Sequence, residues 1–331
     1  MRTAARVALA SYGLESARVR LLSHFCNTTY AVEPAGGGRR ALHLYRYIDE
    51  SIPIDRRSEW IESELWWLEQ VRSSLGIASP KPVPNGAGES VTWVEFGREK
   101  LPCVLFEWVD GRVVKAGLRP SHMRQVGHLT ARLHDMSSGM DVPAFVLRGQ
   151  VDRLDDPAQA AIVKSFRDFR TSEGAAMARR AIHVVIDAMD RVATSPDVYG
   201  LIHADIHHNN FLFHRGEVAL IDFGDCGWGH YLYDLAVTLS PLKNHCRAGE
   251  LRQALFEGYR EIRPLSDEHA GLVAVFEILR DMQDLAATIR DRDDPSMARW
   301  TEAIGDSYES LRRRVDDQQT GLDPYADRRQ P

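Results

Sequence analysis

The densest group of polar side chains in the sequence is the run His203–Asn210 (HADIHHNN), which is followed by Asp222–Gly224 (DFG). Asp205 and Asn210 lie five positions apart, and both runs adjoin short apolar segments typical of strands. Magnesium prefers oxygen ligands, usually a carboxylate or two completed by phosphate oxygens and water. Asp205, Asn210 and Asp222 supply such oxygens. The spacing therefore predicts phosphoryl transfer from a metal-bound triphosphate, with a carboxylate aligned on an acceptor hydroxyl.

The order of these motifs is that of the catalytic and metal loops of protein kinases, HxDxxxxN followed by a strand pair and DFG. Each motif alone is a weak signal, because Asp205 could cap a turn and Asn210 could satisfy loop backbone groups. A second alternative is a transition-metal site, since imidazole suits zinc, formed by His203, Asp205, His207 and His208. That alternative leaves the DFG motif unexplained, so phosphotransfer is favoured.

The elements that must position these motifs change along the chain from strands to helices. Strands are predicted at residues 19–25, 28–33, 40–46, 90–96 and 102–109, with a helix at 58–75 and a proline-rich loop at 80–88. Helical spacing follows at 121–136 and 157–193, then short strands at 199–205, 211–214 and 218–224, then helices over 231–315. The sequence therefore predicts an α+β, bilobal protein kinase-like fold. Its small β-rich lobe would be residues 1–108, and its larger helical lobe 109–331.

Composition restricts the class of protein further. The net charge of −6 over 331 residues lacks the basic signature of a nucleic-acid-binding protein and is compatible with a cationic substrate. No apolar run approaches the ~18 residues of a membrane span, and the N-terminus predicts an amphipathic helix. The cysteines have neither metal-site nor disulfide spacing and are expected to be reduced: Cys26, Cys103, Cys226 and Cys246. We expect a cytoplasmic protein that binds neither nucleic acid nor membrane, and the oligomeric state stays open.

Over nearly its whole length the chain resembles the aminoglycoside phosphotransferase and choline kinase-like family. This family is kinase-like and includes antibiotic, choline and homoserine kinases and a stress-response protein kinase. Besides the two motifs, the resemblance rests on LLSHFCNTTYAVE (21–33), IESELWWL (61–68), VLFEWVDG (104–111), GHLTARLHDM (127–136) and CGWGHYLYDLAVTL (226–239). It implies ATP and Mg²⁺ as cofactors. It also implies transfer of the γ-phosphate to a hydroxyl of a small molecule such as an aminoglycoside-like antibiotic, an amino alcohol or a related metabolite.

The resemblance implies a role for each matching position of the catalytic and metal loops. Asp205 would orient the acceptor hydroxyl and accept its proton. Asn210 and Asp222 would hold magnesium. Asp225 lies close enough in sequence to assist, although a solvated loop carboxylate is an equal alternative.

Further matching positions concern the nucleotide. Glu64 would anchor the phosphate-binding strand residue, with an exposed helix charge as the alternative. Glu107 and Val109 would present hinge backbone groups to the adenine edge, with the hinge near residues 107–111. The turn at residues 27–30 would close over the phosphates.

His43 departs from the family pattern, because the motif Ala-x-Lys or its arginine form is here Ala41-Leu42-His43. Strand alternation predicts that His43 faces the nucleotide, where Glu64 and a triphosphate would favour the imidazolium form. Three alternatives stay open. His43 binds phosphate as a cation, Arg46 or another base replaces it, or the site is weakened in a slow enzyme or a nucleotide-binding pseudokinase.

The acceptor is less well defined by the sequence. Glu277, Asp281 and Asp284 would share one helical face, which suits either a polyamine substrate or a solvated face partly paired with Arg280. Few residues separate the DFG motif from the segment around Asp234. That spacing leaves little room for an activation segment, so it favours a small acceptor over the alternative of a protein serine or threonine.

Overall fold

The computed structural model describes residues 1–24, 27–46, 52, 56–97, 99–114, 117–192, 194–294 and 297–320. These residues form two compact units. The first unit contains Met1–Arg112, Asp141–Arg148 and Leu212–Gly224, and the second contains Val113–Met140, Gly149–Phe211 and the described residues from Asp225 onward. The predicted α+β class is confirmed, with a large sheet in the N-terminal region and mostly helices in the C-terminal region. The lobe boundary at residues 108 and 109 stays a prediction.

The first unit is built on a six-stranded sheet. Its N-terminal elements are α1 (Arg2–Ala10), β1 (Arg18–His24), β2 (Thr28–Glu33), β3 (Arg40–Leu44), α2 (Arg57–Leu75), β4 (Pro82–Val83), β5 (Thr92–Phe96) and β6 (Glu99–Glu107). The strand order is β1-β2-β3-β6-β4, with β5 also paired to β6, and these pairings are antiparallel. The strands predicted at residues 28–33 and 40–46 are present as β2 and β3, and they pair as a hairpin.

Apolar residues on one face of this sheet pack against the N-terminal helix. Val32, Leu42 and Leu105 come from neighbouring strands and share a buried cluster with Ala5 and Leu9 of α1. The alternation of a strand and the amphipathic spacing of a helix place these side chains on facing surfaces. The predicted amphipathic N-terminal helix is therefore confirmed.

One short strand was not anticipated from the sequence. The predicted loop at residues 80–88 contains Pro82–Val83, which pairs with β6 as β4. This strand stands at the end of the sheet order, where a residue without an N–H is tolerated. At the other edge, the last residue of the predicted strand 19–25 lies outside the described residues.

The remaining elements run from the middle of the chain to its C-terminal region. They are α3 (Pro120–Ser138), α4 (Asp156–Val192), β7 (Tyr199–Ile202), β8 (Phe211–His214), β9 (Glu217–Leu220), β10 (Gly227–His230), α5 (Tyr231–Leu239), α6 (Ala248–Arg260), α7 (Asp267–Arg290), α8 (Ala298–Thr301) and α9 (Ile304–Thr320). β7 pairs with β10, and β8 pairs with β9. The last helix continues to Thr320, beyond the predicted helical end at residue 315.

Two glycines allow α3 and α6 to pack with their backbones in contact. A Cβ added to Gly127 would lie 2.0 Å from the Leu255 carbonyl oxygen, and one added to Gly258 would lie 1.9 Å from the Arg124 carbonyl oxygen. Any side chain at either position would therefore force the helices apart. This close packing gives α3 a fixed place beside β7, the strand that precedes the loop of Asp205.

Two expectations from composition concern the described residues. None of the described helices combines the length and apolar character that crossing a membrane requires. Cys103 and Cys226 are buried and Cys246 is exposed, whereas Cys26 lies outside the described residues.

Candidate active site

Asp205 lies in the loop that follows β7, and both oxygens of its carboxylate are held. Asn210 donates from Nδ2 to Asp205 Oδ2 at 2.7 Å and to the Asp205 carbonyl oxygen at 3.0 Å. Arg280 of α7 donates from Nη2 to Oδ1 at 2.9 Å. Because the amide nitrogen of Asn210 faces Asp205, its Oδ1 points away from that carboxylate. This orientation turns the amide oxygen of Asn210, rather than its nitrogen, away from Asp205, and oxygen is the type of atom that a hard cation binds.

Asp234 anchors the backbone of this loop from α5. Its Oδ1 accepts a hydrogen bond from Ala204 N at 2.7 Å, and its Oδ2 accepts one from His203 N at 3.1 Å. Ala204 has φ of 64°, in the left-handed region that residues with a side chain rarely adopt. The buried carboxylate offsets that strain by bonding the two successive N–H groups, so the loop is held in shape before any ligand binds.

A second layer of contacts fixes Asp234 itself. His134 of α3 lies with Nε2 3.1 Å from Asp234 Oδ2, and the Tyr259 hydroxyl of α6 lies 2.9 Å from His134 Nδ1. Burial lowers the pKa of His134, although Asp234 opposes the shift. A neutral imidazole donates to the carboxylate and accepts from tyrosine. This network was not predicted from the sequence. Its signal there is an acidic residue inside the apolar run YLYDLAVTL.

The predicted acidic face of α7 does not form as a single surface. Glu277 is fully buried and pairs with Arg252, and Asp281 is largely buried between Lys243 and Arg314. Neither residue belongs to a solvated face or is available to a substrate. Only Asp284 is solvent-facing, with its side chain 57% exposed.

Arg280 links this remaining carboxylate to the loop of Asp205. Its Nε donates to Asp284 Oδ2 at 2.9 Å while its Nη2 holds Asp205, and Nη1 donates to the Ala204 carbonyl oxygen at 3.3 Å. The pairing of Arg280 with the acidic face, considered in the sequence analysis, is thus confirmed for Asp284. The additional contact with Asp205 was not foreseen, because periodicity along one helix gives no information about a loop 75 residues away.

Glu64 lies on α2 and is 4% exposed, so the alternative of an exposed helix charge is wrong. Its carboxylate accepts from the Tyr45 hydroxyl at 3.1 Å and from Arg148 Nη2 at 3.2 Å. Arg148 is the ion-pair partner that the structure gives Glu64. His43 stands nearby on β3, with Nδ1 3.1 Å from Thr29 Oγ1 and its ring 4.6 Å from that of Tyr45.

Asp222 follows β9 in the same unit as Glu64. The hairpin of β8 and β9, closed by Arg215 and Gly216 with φ of 49° and 88°, separates Asn210 from Asp222 along the chain. Asp222 has φ of 63°. Burial raises the pKa of Glu64 to about 7; the Arg148 charge opposes this shift and the negative charge of Asp222 adds to it.

The raised pKa of Glu64 predicts a pH-dependent contribution to stability. Between about pH 4.5 and pH 7 the folded protein binds more protons than the unfolded chain, so this contribution is full below the window and falls as pH rises through it. Relative to Glu64→Gln, the wild type should lose about 2 kcal/mol of unfolding free energy from pH 5 to pH 8. Urea unfolding at both pH values measures this difference.

The control for this experiment is Glu69→Gln, which removes an exposed carboxylate from the same helix. The difference in unfolding free energy between Glu69→Gln and the wild type should be the same at both pH values. If the difference in unfolding free energy between Glu64→Gln and the wild type is also independent of pH, then Glu64 has an ordinary pKa in the folded protein.

The predicted hinge residues end the sheet of the first unit. The N–H of Glu107 donates to the Lys81 carbonyl oxygen at 2.8 Å, and its side chain lies 3.5 Å from Lys81 Nζ. Any contact between Glu107 and adenine would therefore come from its carbonyl group. Val109 stands two residues beyond the end of β6. The roles of both residues stay predictions.

Of residues 27–30, predicted to close over the phosphates as a turn, residues 28–30 belong to β2 in the structure. Asn27 accepts from Arg46 N at 3.0 Å through its Oδ1, which joins the start of β2 to the residues after β3. The role of Arg46 as a substitute cation stays a prediction. Within the part of the chain that the structure describes, no group of three or more His, Cys, Asp or Glu side chains is arranged to hold a metal ion. The histidine-based transition-metal alternative thus gains no support.

A sequence model described as the phosphotransferase enzyme family matches residues 18–265. The chain belongs to the phosphotransferase enzyme family. Amicoumacin kinase of Bacillus subtilis (strain 168) is 25% identical over 190 residues, which are 56% of this chain and 54% of that protein. A homoserine kinase of Rhizobium rhizogenes is 28% identical over 207 residues, 60% of each chain. The chain thus matches only about three-fifths or less of the length of these relatives.

Solved structures extend this likeness over nearly the whole chain. A microcompartment-associated aminopropanol kinase aligns with a TM-score of 0.81 and 26% identity, covering 97% of this chain and 98% of that one. The amicoumacin kinase hAmiN, solved with AMP-PNP, Ca²⁺ and Ami, aligns with a TM-score of 0.68 and 21% identity, covering 92% and 89%. The kinase-like fold predicted from the sequence is confirmed by these alignments.

Proposed function

We propose that the chain transfers the γ-phosphate of ATP to a hydroxyl group of a small molecule that carries an amino group. The observation that carries this proposal is the Asp205 carboxylate, fixed by the amide of Asn210 within an HxDxxxxN loop of a phosphotransferase family member. The aligned relatives named above are kinases, which supports a nucleoside triphosphate as the donor.

The oxygens of Asn210 and Asp222 are the proposed magnesium ligands. The orientation of the Asn210 amide fits this role, because its nitrogen is engaged by Asp205 and its oxygen is turned away. Carboxylate and amide oxygens are also the donor set that magnesium prefers over zinc. Magnesium, when bound, would neutralise charge on the phosphates. The nucleotide itself would be bound by the region of residues 1–108, through His43, Glu64 and the hinge positions Glu107 and Val109.

Asp205 is the proposed group that orients the acceptor hydroxyl and takes its proton as the oxygen attacks phosphorus. Arg280 and Asn210 hold its two oxygens, so the carboxylate cannot rotate freely. Asp234 fixes the backbone on which Asp205 stands. The catalytic region of residues 109–331 would thereby present a preformed acceptor site.

The charges around Asp205 support an acceptor with an ammonium group. Arg280 is the cation beside it, and three carboxylates act on that guanidinium: Asp205, Asp225 and Asp284. The half-exposed Asp284 offers a negative charge to solvent next to the proposed acceptor site. A positively charged amino alcohol or aminoglycoside-like compound complements this arrangement better than a hydroxy acid does.

The connection after the DFG motif supports a small acceptor rather than a protein. β10 begins at Gly227 and α5 begins at Tyr231, so only residues 225–230 separate Gly224 from the helix that carries Asp234. A segment of this length cannot form an extended platform for a peptide substrate. Phosphate transfer into proteins of a cell lysate would overturn this part of the proposal.

The proposed function is tested by measuring ADP formation with ATP and magnesium over a panel of amino alcohols, aminoglycosides and matched neutral diols. We expect turnover with at least one amino-bearing acceptor, and a kcat about a thousandfold lower in Asp205→Asn. Nucleotide binding without turnover on any acceptor would instead favour the pseudokinase alternative suggested by His43.

A change at Asp284 separates acceptor recognition from catalysis. Asp284→Asn should raise KM for an amino-bearing acceptor about fivefold, because a half-exposed ion pair contributes about 1 kcal/mol, and should change kcat much less. Steady-state kinetics measure both constants. The control Asp187→Asn removes a similarly exposed carboxylate from α4 and should leave KM unchanged. An unchanged KM in Asp284→Asn would contradict the ammonium subsite.

A further inference from the structure

Arg148 is a buried cation that no motif in the sequence marks. It ends the segment 141–148, which follows α3, and its side chain is 0% exposed. Its Nη2 donates to Glu64 Oε2 at 3.2 Å, its Nη1 donates to the Gly224 carbonyl oxygen at 2.8 Å, and its guanidinium lies 4.5 Å from the centre of the Trp60 ring. A charge is rarely buried this deeply unless it is paired and hydrogen-bonded.

These contacts join the metal loop to α2. Gly224 is the last residue of the DFG motif, two positions after Asp222. A hydrogen bond to its carbonyl oxygen therefore restrains the backbone that carries Asp222. The segment of Arg148 is itself fixed to α2, because Leu147 N donates to Ser63 Oγ at 2.7 Å. Helix α2, the segment 141–148 and the DFG loop all belong to the first unit, and Arg148 of that segment contacts both of the others.

We propose that Arg148 is a positioning residue for the metal loop, which carries Asp222. Arg148 also serves as the counter-ion of Glu64, a role that the kinase pattern gives to the strand residue at position 43. The proposal rests on the proposed function, because it assumes that Asp222 is a metal ligand. In this chain a histidine on β3 is tolerated because a permanent cation reaches Glu64 from a different segment.

The geometry of a guanidinium suits this task better than that of an ammonium. Its planar fork donates in two directions at once, here to the carboxylate of Glu64 and to the carbonyl of Gly224. Its charge also lies beside the buried carboxylate of Glu64. Removing Arg148 would leave this carboxylate without its cation and would release the Gly224 carbonyl.

The test measures the metal dependence of nucleotide binding in the full chain. Calorimetry gives the Kd of ADP with excess Mg²⁺ and with EDTA, and the ratio of the two values is the gain from metal. Arg148→Met should reduce that gain about tenfold, as removal of groups that orient metal ligands commonly does, while ADP binding in EDTA stays within about threefold. Arg148→Lys should restore part of the gain, because a single ammonium can pair with Glu64 but cannot hold both groups.

Two further variants keep the test interpretable. Glu64→Gln with Arg148→Met removes both charges, so it avoids a buried unpaired carboxylate if the single variant folds poorly, and it should show the same loss of metal gain. Arg72→Met breaks an ion pair with Glu69 at the solvent-facing side of the same helix and should change neither Kd.

The outcomes separate this inference from the proposed function. Asp222→Asn should abolish the metal gain; if it does not, the proposed metal site fails and the role of Arg148 falls with it. If Asp222→Asn abolishes the gain while Arg148→Met leaves it intact, the positioning role alone is wrong. An equal loss of ADP binding with and without Mg²⁺ in the Arg148 variants would also overturn it, because Arg148 would then support the fold in general.

Discussion

Replacing Asp205 with asparagine is expected to lower kcat about a thousandfold while ADP affinity stays within about threefold, since a positioned general base contributes about 10²–10⁴ in rate. The amide has nearly the shape of the carboxylate but cannot take the acceptor proton. It also has a single acceptor oxygen, whereas Asp205 accepts from Asn210 through Oδ2 and from Arg280 through Oδ1. One of these two donors must therefore lose its partner.

The measurement pairs turnover on the best acceptor of the panel with calorimetric ADP binding. Asp168→Asn is the matched control, because Asp168 is an exposed carboxylate that pairs with Lys164 on α4, and it should retain full turnover. Turnover that survives in Asp205→Asn would mean that another group accepts the proton. A parallel collapse of ADP affinity would mean that Asp205 serves the nucleotide instead of the acceptor.

Local features of this chain were predictable from the sequence because their signals are local. The five-residue spacing from Asp205 to Asn210 and the alternation of β2 and β3 depend on neighbours along the chain, and the structure contains both features. The same holds for the helical period of α3. Boundaries moved by a few residues. β4 was missed because the three prolines of the predicted loop, Pro80, Pro82 and Pro84, mask a pairing of only two residues.

Contacts between distant segments were not predictable in the same way. The period of α7 placed Glu277 and Asp281 on one face, but it carried no information about Arg252 and Arg314, which arrive from α6 and α9 and neutralise that face. Arg148 reaches Glu64 from 84 residues away. A single sequence records that these charges exist but not which of them will be buried together.

Replacing Asp234 with asparagine is expected to lower the unfolding free energy by about 3 kcal/mol, since a fully buried carboxylate that serves several donors loses one acceptor oxygen. Its two oxygens accept from His203 N and Ala204 N and contact His134 Nε2. An amide nitrogen in place of either oxygen would face a donor. The strained φ of Ala204 then loses part of its support, so kcat should also fall, by about 10²-fold, if the loop moves by as little as about 1 Å.

The control must separate a loss of stability from a loss of loop geometry, and the chain offers a matched residue. Asp152 is also a fully buried carboxylate, accepting from His230 N at 2.8 Å and from Gln150 Nε2 at 3.0 Å, but it has no contact with the loop of Asp205 in the described hydrogen-bond network. Asp152→Asn should lower stability by a similar amount in urea unfolding and leave kcat of the folded protein within about threefold. Equal losses of kcat in the two variants would show that activity follows global stability, and the special role of Asp234 in shaping the catalytic loop would be wrong.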